Sequence, residues 1–239
     1  ESTGMTGSSN MVRYTRSANK QPPRHLGTRY SEDGLFLPEP GNTVVCHLVA
    51  ESPSWRAVVE ARESIRNLPG AERLAFTPVS SLHMTLFQGV IEFRRVWPYW
   101  PEGVSLDAPI DDVTRLYTDR LRNFSAGPSF SVTPTGLTPT GLAVEGCTPA
   151  DRQALAIWRD RLAHCFGYRH PDHDDYAFHI TFAYLTDWFE DDITQTWNEG
   201  LEEALERLKK RAPVLELSQP AFCTFNDMRH FEAVKVIGQ

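Results

Sequence analysis

Two segments of this chain carry the same pattern at a constant spacing of 96 residues. The dipeptides Ser52-Pro53 and Thr148-Pro149 each place a hydroxyl residue before a proline, which is the pattern that starts a helix. In both segments a His-x-Thr motif follows 31 residues after the hydroxyl residue, at His83 and at His179. One shared offset for all these positions indicates a duplicated structural unit.

Each unit is predicted to be strand, helix, strand. In the first unit these elements span residues 44–50, 55–68 and 80–87, and in the second they span 142–144, 148–166 and 176–185. Further helices are predicted over 111–124 and 194–208, and terminal strands over 214–217 and 231–238. Strands and helices do not alternate strictly, as they would in a doubly wound parallel sheet. We therefore expect an α+β protein with bilobal duplicated strand–helix–strand units and antiparallel sheets around a central cleft.

The repeat also predicts the domain organisation. Residues 42–239 are expected to form a single bilobal domain, preceded by a partly flexible N-terminal arm over residues 1–41. Lobe one extends over about 42–105 and lobe two over about 130–190, and the C-terminal strands complete the sheets.

The motif strands alternate between apolar and polar side chains, so each has one face for the core and one for a cleft. His83 and Thr85 share the polar face of the first strand, and His179 and Thr181 share that of the second. Ser81 and Phe87 fall on the His83 face, which makes them candidate substrate contacts.

A histidine and a threonine two positions apart suit phosphodiester cleavage without a metal. If the lobes face each other, one imidazole can take a proton from the attacking water while the other gives one to the leaving oxygen. The hydroxyls of Thr85 and Thr181 would hold the non-bridging oxygens, where charge accumulates in the transition state. The residues leave open which histidine is the acid and which is the base.

The paired motifs HMT (83–85) and HIT (179–181) resemble those of the two-histidine (2H) phosphoesterase superfamily, over roughly residues 42–237. The resemblance implies a cleft lined by the motif strands and a cofactor-free phosphoric diester hydrolase of the cyclic phosphodiesterase type, similar to the RNA-ligase-like group. It also implies that His83 and His179 are acid and base and that Thr85 and Thr181 anchor phosphate. Many members carry Leu-Ala-Arg after the second motif, where this chain has residues 182–184 (Phe-Ala-Tyr). This departure removes a cationic phosphate contact that the resemblance would otherwise imply. The aromatic insert at 93–103 and the N-terminal arm indicate a divergent, uncharacterised bacterial subgroup.

Charge limits the substrate. The net charge of -7 argues against long nucleic acids, whose binding depends on many Lys and Arg contacts. The expected partner is a small cyclic or 2′-linked nucleotide or a short RNA end. Residues 1–30 nevertheless carry five basic residues and one acidic residue. This arm, which ends near Arg29 and Tyr30, is either a tail or the source of a cationic contact to the substrate phosphate that the second motif lacks.

The cellular compartment is predicted from the cysteines and from the lack of a visible targeting or membrane-spanning segment. Its four cysteines are scattered without zinc-site spacing, as expected for reduced, mostly buried thiols (Cys46, Cys147, Cys165 and Cys223). No signal peptide and no apolar run long enough to span a membrane are visible. These observations favour a cytoplasmic protein without a membrane partner.

Three alternatives stay open. The same cleft could hold a nucleotide without turning it over. The polar loop at 170–175 could hold a metal, although it would need a ligand from elsewhere in the chain. The aromatic insert at 93–103 could stack on a nucleobase or pack on the lobe surface.

His47, inside an apolar strand, is expected to be a core or edge histidine.

Overall fold

Nine β-strands and four α-helices of eleven or more residues form within residues 11–238, the part of the chain that this computed structural model describes. The strands are β1 (Gly41–His47), β2 (Leu74–Phe76), β3 (His83–Ile91), β4 (Val132–Thr138), β5 (Gly141–Gly146), β6 (His179–Thr181), β7 (Ala183–Leu185), β8 (Ala221–Phe225) and β9 (Glu232–Val236). The helices are α1 (Pro53–Arg66), α2 (Ile110–Arg120), α3 (Pro149–Phe166) and α4 (Thr194–Arg211). No helix of this described part is long and apolar enough to cross a membrane.

The two repeat units join in one sheet. Seven strands pair in the order β4-β5-β6-β3-β1-β8-β9, and β2 and β7 form a separate pair. Every named pairing is antiparallel. The units β1-α1-β3 and β5-α3-β6 meet where Met84 of β3 pairs with Ile180 of β6. The α+β class is confirmed, and the two motif strands are neighbours at the centre of the sheet.

The helix starts of the repeat form as the sequence predicts. The Ser52 hydroxyl accepts a hydrogen bond from the backbone N–H of Trp55 at 3.1 Å. Thr148 and Asp151 cap each other's backbone N–H groups in a capping box. Each cap occupies donors that the first helical turn leaves without an intrahelical partner. These interactions fix where α1 and α3 begin in relation to the strands before them.

Of the two predicted C-terminal strands, the one over 231–238 forms as β9 and the one over 214–217 does not form. Residues 214–217 form no strand and make only isolated bridges, from Leu215 to Val132 and from Leu217 to Leu48. Instead β8 pairs with β1 along its whole length. Its residues are buried on both faces, so they lack the alternation that identifies a half-exposed strand. The predicted strand at 176–185 is likewise split into β6 and β7, which belong to different sheets.

A β-bulge interrupts the first motif strand. Val45 pairs with Thr85 and Val44 pairs with Phe87, so Leu86 has no partner on β1. A bulge inserts one residue and reverses which face the following side chains occupy. Phe87 therefore points into the core, where its side chain is 2% exposed.

The described part of the N-terminal arm packs against the second lobe. The Tyr30 side chain is buried, and its hydroxyl donates to the backbone oxygen of Leu185 at 2.6 Å. The indole of Trp188 donates to the backbone oxygen of Gln21 at 2.7 Å. These contacts hold the end of the arm beside β7. Residues 1–10, which include part of the predicted flexible segment, lie outside the described residues.

The four cysteines are free thiols. Cys46 and Cys223 are buried on the paired strands β1 and β8, and burial raises the pKa of each thiol to about 12. Cys147 and Cys165 are half-buried. Burial also raises the pKa of these two thiols. All four are therefore poor nucleophiles near neutral pH.

Gly89 lies where β3 passes closest to Asn42. A Cβ atom at Gly89 would overlap the side chain and the backbone of Asn42. The Asn42 side chain cannot move freely, because it accepts from Val90 N–H at 2.9 Å and donates to Thr114 at 3.0 Å. We expect Gly89→Ala to lower the free energy of unfolding by about 2–3 kcal/mol, measured by urea denaturation.

The matched control is Gly136→Ala, because the nearest atom to a Cβ at Gly136 is 3.7 Å away. This variant should unfold within about 1 kcal/mol of the parent protein. Equal stability of the two variants would contradict the close packing between β3 and Asn42.

Candidate active site

The four motif residues line one pocket at the junction of β3 and β6. Its volume is about 100 Å³, and its walls include His83, Thr85, His179 and Thr181. Ser81 also lines it. The sheet thus brings both copies of the motif to one place, although they are 96 residues apart in the sequence.

The two histidines make the same hydrogen bond. Nδ1 of His83 lies 2.6 Å from the backbone oxygen of Ser81, and Nδ1 of His179 lies 3.2 Å from that of Ala177. Because a carbonyl oxygen only accepts, each Nδ1 carries the proton. In the neutral ring Nε2 is then the unprotonated nitrogen. The repeat therefore extends to the tautomers of its two imidazoles.

The two rings differ in their surroundings. His83 is half-buried, with its ring 4.2 Å from that of Phe231 and 5.8 Å from that of His47. Burial lowers the pKa of His83 to about 4, although the bond to Ser81 acts in the opposite direction. His83 is therefore neutral near pH 7, whereas His179 is exposed to solvent. His47, expected to be a core or edge histidine, lies opposite His83 at the end of β1.

Tyr184 occupies the position after the second motif where the resemblance implies an arginine. Its hydroxyl faces the Arg29 guanidinium and the Thr181 hydroxyl, and burial raises its pKa. Tyr184 is therefore a neutral hydrogen-bonding group beside the phosphate anchor rather than a cation.

Arg29 of the N-terminal arm supplies a cation to the same pocket. It is the one arginine among the described residues that line the pocket. Its Nη2 and Nε donate to Oε1 of Glu39 at 2.8 and 3.1 Å. Its Cζ lies 5.3 Å from the centre of the Tyr184 ring. Glu39 is 2% exposed, so the pair is held rigidly and the guanidinium is presented to the cleft.

Of the two residues predicted to contact substrate, Ser81 lines the pocket and Phe87 does not. Ser81 is 5% exposed, donates its hydroxyl to the Pro78 carbonyl at 2.8 Å and orients His83 through its own carbonyl. The prediction that Phe87 contacts substrate is wrong. The bulge at Leu86 turns Phe87 into the core, where it packs against Phe166.

Several pocket residues have no counterpart in the sequence prediction. The bulge at Leu86 brings Gln88 to the face that His83 and Thr85 occupy, and a second register shift, between the pairs Thr43–Gln88 and Gly41–Ile91, brings Ile91 there as well. The chain from β8 to β9 adds an apolar wall of three side chains (Phe225, Met228 and Phe231). The concentration of large apolar residues over 222–231 was a usable signal, but the bulge leaves no mark in the sequence.

The 170–175 loop does receive a partner from elsewhere in the chain. Asp160 of α3 joins His173 and Asp174 beside a crevice of about 500 Å³ that contains no motif residue. His173 Nε2 lies 2.8 Å from Asp160, and Arg169 lies 3.4 Å from each carboxylate. Nδ1 of His173 faces the Arg159 guanidinium at 3.5 Å, so Nε2 is the nitrogen that carries the proton. Within the described residues these groups satisfy one another as an ion-pair network.

The aromatic insert at 93–103 is anchored but leaves rings exposed. Trp100 is fully buried and donates to the Ser105 carbonyl at 2.9 Å. Phe93 and Trp97 are 60% and 50% exposed. The insert therefore packs on the lobe through Trp100 and keeps other aromatic surface free.

A family model and a solved structure are similar to this chain. The family model described as 2H-phosphodiest, a domain of unknown function (DUF1868), matches residues 29–143, which include Arg29 and the first motif. The chain is also similar to the crystal structure of ATU0111, a conserved protein of unknown function from Agrobacterium tumefaciens. The two are 52% identical, with a TM-score of 0.94, and the match covers 95% of this chain and 97% of that one. No curated protein matches the chain.

The family model agrees with the first motif and with the pocket that it lines. Residues 29–143 of this chain match the 2H-phosphodiest (DUF1868) model, which is consistent with membership of the 2H phosphoesterase superfamily.

Proposed function

We propose that this protein is a metal-independent phosphodiesterase that hydrolyses a small cyclic or 2′-linked nucleotide or a short RNA end. The observation that carries the proposal is the meeting of two histidines of the same tautomer, two threonines and one arginine in one pocket. We also propose that it works in the cytoplasm, as its cysteine usage suggests.

His83 is the general base. Its ring is neutral near pH 7 because it is half-buried, and its Nε2 is the free acceptor. It removes a proton from a water molecule as the water oxygen bonds to phosphorus. His179, which is exposed and exchanges protons with solvent, gives a proton to the ribose oxygen as the P–O bond breaks. Proton exchange with solvent then restores both rings.

Charge on the non-bridging oxygens is stabilised by three donors. The hydroxyls of Thr85 and Thr181 lie on the two motif strands, and the Arg29 guanidinium lies beside Tyr184. Donors fixed before the reaction stabilise the transition state without reorganisation, and each contributes about 3 kcal/mol in comparable sites. Arg29 takes the role that an arginine after the second motif would otherwise have.

Pocket size and charge favour a small substrate. About 100 Å³ accommodates a phosphate and part of a sugar, and the apolar wall formed by Phe225, Met228 and Phe231 offers a surface for a ribose or a base. The net charge of -7 disfavours a long polynucleotide, because its many phosphates would be repelled by the rest of the surface.

A non-catalytic nucleotide-binding module is the second candidate, because the same donors would hold a phosphate without turning it over. The two candidate functions differ in what they require of the Nε2 atoms of His83 and His179. Binding requires only donors, whereas hydrolysis requires one neutral and one protonated imidazole at the same time.

We expect hydrolysis of adenosine 2′,3′-cyclic phosphate to continue in the presence of EDTA and to follow a bell-shaped pH profile. Below the pKa of about 4 His83 is protonated and cannot act as the base, so the acidic limb of kcat/KM lies near pH 4–5 rather than 6.5. The alkaline limb reports loss of the proton that the general acid must donate. Chromatographic detection of the ring-opened monophosphate at each pH measures the profile.

Loss of activity with EDTA would contradict the metal-free mechanism. Tight nucleotide binding with no product after hours would favour the binding module instead.

A further inference from the structure

Gln88 is a polar residue of the pocket to which the proposed mechanism gives no role. Four other polar side chains that line the pocket donate hydrogen bonds within the protein (Asn42 to Thr114, Thr43 to Phe87, Thr77 to Phe182 and Ser81 to Pro78). The motif residues, Arg29 and Tyr184 surround the candidate phosphate position. Among the described residues that line the pocket, Gln88 is the polar side chain that remains.

Arg94 fixes the orientation of the Gln88 amide. Nη1 of Arg94 lies 3.2 Å from Oε1 of Gln88, and a guanidinium only donates, so the amide atom at this contact is the oxygen. The guanidinium also stacks on the Tyr99 ring at 4.5 Å, and the bond to Gln88 is its one side-chain hydrogen bond within residues 11–238. The amide nitrogen, Nε2, is therefore the end of the Gln88 side chain that is left for another partner.

Nε2 of Gln88 can be reached by a ligand. It makes no hydrogen bond within residues 11–238, and it is not one of the buried polar atoms that lack a partner there, so it keeps accessible surface. The Tyr176 hydroxyl faces Gln88, yet it is buried and has no hydrogen-bond partner in the same part of the chain. The Gln88 backbone is fixed too, because the Tyr168 hydroxyl donates to its carbonyl oxygen at 2.5 Å. Gln88 thus presents one rigid donor to the pocket.

The place of Gln88 on β3 relates it to the phosphate. The partners of Thr85 and Gln88 on β1 are two residues apart, so the bulge makes Gln88 the next residue after Thr85 on the pocket face. Two paired positions correspond to roughly 7 Å along a strand. Beyond Gln88 the pocket is apolar, because Ile91 and Phe225 both pair with Gly41 of β1. Gln88 therefore lies between the phosphate anchor and an apolar end.

A ribose carries the chemistry that suits this position. Nε2 only donates, so its partner must be an acceptor, and every oxygen of a ribose is one. In a nucleotide the sugar is bonded directly to the phosphate and the base lies beyond the sugar. The pocket has the same order of phosphate anchor, amide donor and apolar end. The bond from Arg94 also polarises the amide, which strengthens its N–H groups as donors.

We propose that Gln88 is a specificity-determining residue that donates from Nε2 to a ribose oxygen of the substrate, and that Arg94 is the positioning residue that holds the amide. That the ligand is a nucleotide rests on the proposed function, but binding alone tests the contact. A site built to hydrogen-bond a sugar oxygen rejects an analogue that lacks it, because the amide then stays unpaired.

The test is calorimetric titration with adenosine 2′-monophosphate and with cyclopentyl phosphate, whose five-membered ring has no sugar oxygens. We expect Gln88→Met to weaken binding of the nucleotide at least about fivefold and that of cyclopentyl phosphate by less than about twofold. Gln88→Glu keeps an oxygen for Arg94 and removes the N–H donors. Its added charge acts on both phosphates, so the ratio of the two affinities should fall as it does in Gln88→Met. If Gln88 only supported Arg94, Gln88→Glu would keep the parent ratio.

Methyl ribofuranoside 2-phosphate, which has the sugar and no base, assigns the acceptor. Gln88→Met should weaken its binding by the same factor as that of the nucleotide. A loss confined to the nucleotide would place the acceptor on the base and overturn the proposal. Arg94→Met, checked by its melting temperature, should lower the affinity ratio at least about twofold, because the amide is then free to turn.

The matched controls are Gln153→Met, which removes an exposed amide on α3, and Tyr176→Phe, which removes the hydroxyl that faces Gln88. Both variants should keep the parent ratio. An unchanged ratio in Gln88→Met or in Gln88→Glu, or no binding of any probe by the parent protein, would overturn the proposal. A ratio that depends on Gln88 in a protein that hydrolyses nothing would refute the proposed function while supporting this contact.

Discussion

Replacing either motif histidine by alanine is expected to lower kcat for adenosine 2′,3′-cyclic phosphate by roughly 10³-fold, because each ring transfers a proton in the rate-limiting step. His179→Ala should leave the fold intact, since the side chain is exposed. His83→Ala removes contacts with Phe231 as well, so its melting temperature should be checked alongside activity. His164→Ala, on the exposed side of α3, is the matched control and should retain full activity.

A substrate with a better leaving group distinguishes the general acid, His179, from the general base, His83. An aryl phosphodiester whose leaving phenolate is stable needs no proton from an acid. The His179→Ala variant should therefore regain much of its activity on such a substrate, and the His83→Ala variant should not. Equal rescue of both variants, or activity in the His83→Ala/His179→Ala double variant, would be incompatible with acid–base catalysis by this pair.

Replacing Arg29 by methionine is expected to lower kcat by roughly 10²–10³-fold, which is the loss that follows removal of one fixed donor to a developing oxyanion. Arg29→Lys should restore only part of it, because an ammonium cannot bond to Glu39 and to phosphate with the same geometry. Glu39→Gln should have a smaller effect, since it loosens the guanidinium without removing it. Steady-state kinetics of the three variants measure these effects.

The division between kcat and KM tests how Arg29 acts. A cation that only captures the substrate would change KM and leave kcat unaltered, and that result would contradict stabilisation of the transition state. Arg16→Met is the control within the arm, because Arg16 forms an exposed ion pair with Asp187 away from the pocket. Its kinetics should match those of the parent protein.

The repeat made the centre of the fold predictable. Ser52-Pro53 and Thr148-Pro149 fix two helix starts by local capping, and the equal spacing to His83 and His179 implies equivalent strands. Local rules of this kind act within a few residues, so the sequence is sufficient to reveal them. For this reason the sequence alone predicts the motif residues.

Features that depend on pairing between distant strands could not be predicted. The bulge at Leu86 is a shift in the pairing register between β1 and β3, and neither strand carries a sequence signal for it. The alternating pattern therefore predicts the wrong face for Phe87. Strand β8 lacks alternation because both of its faces are buried. Arg29 reaches the pocket only because Tyr30 and Glu39 anchor the end of the arm, a tertiary arrangement that charge counting could suggest but not locate.

The central claim is that His83 and His179 act on one phosphate, and a crystal structure with bound adenosine 2′-monophosphate tests it most directly. The account predicts phosphate oxygens within about 3 Å of Nε2 of both rings, with Arg29 and the hydroxyls of Thr85 and Thr181 bonded to the same group. A phosphate bound instead in the crevice beside His173, or one contacting a single motif histidine, would contradict it.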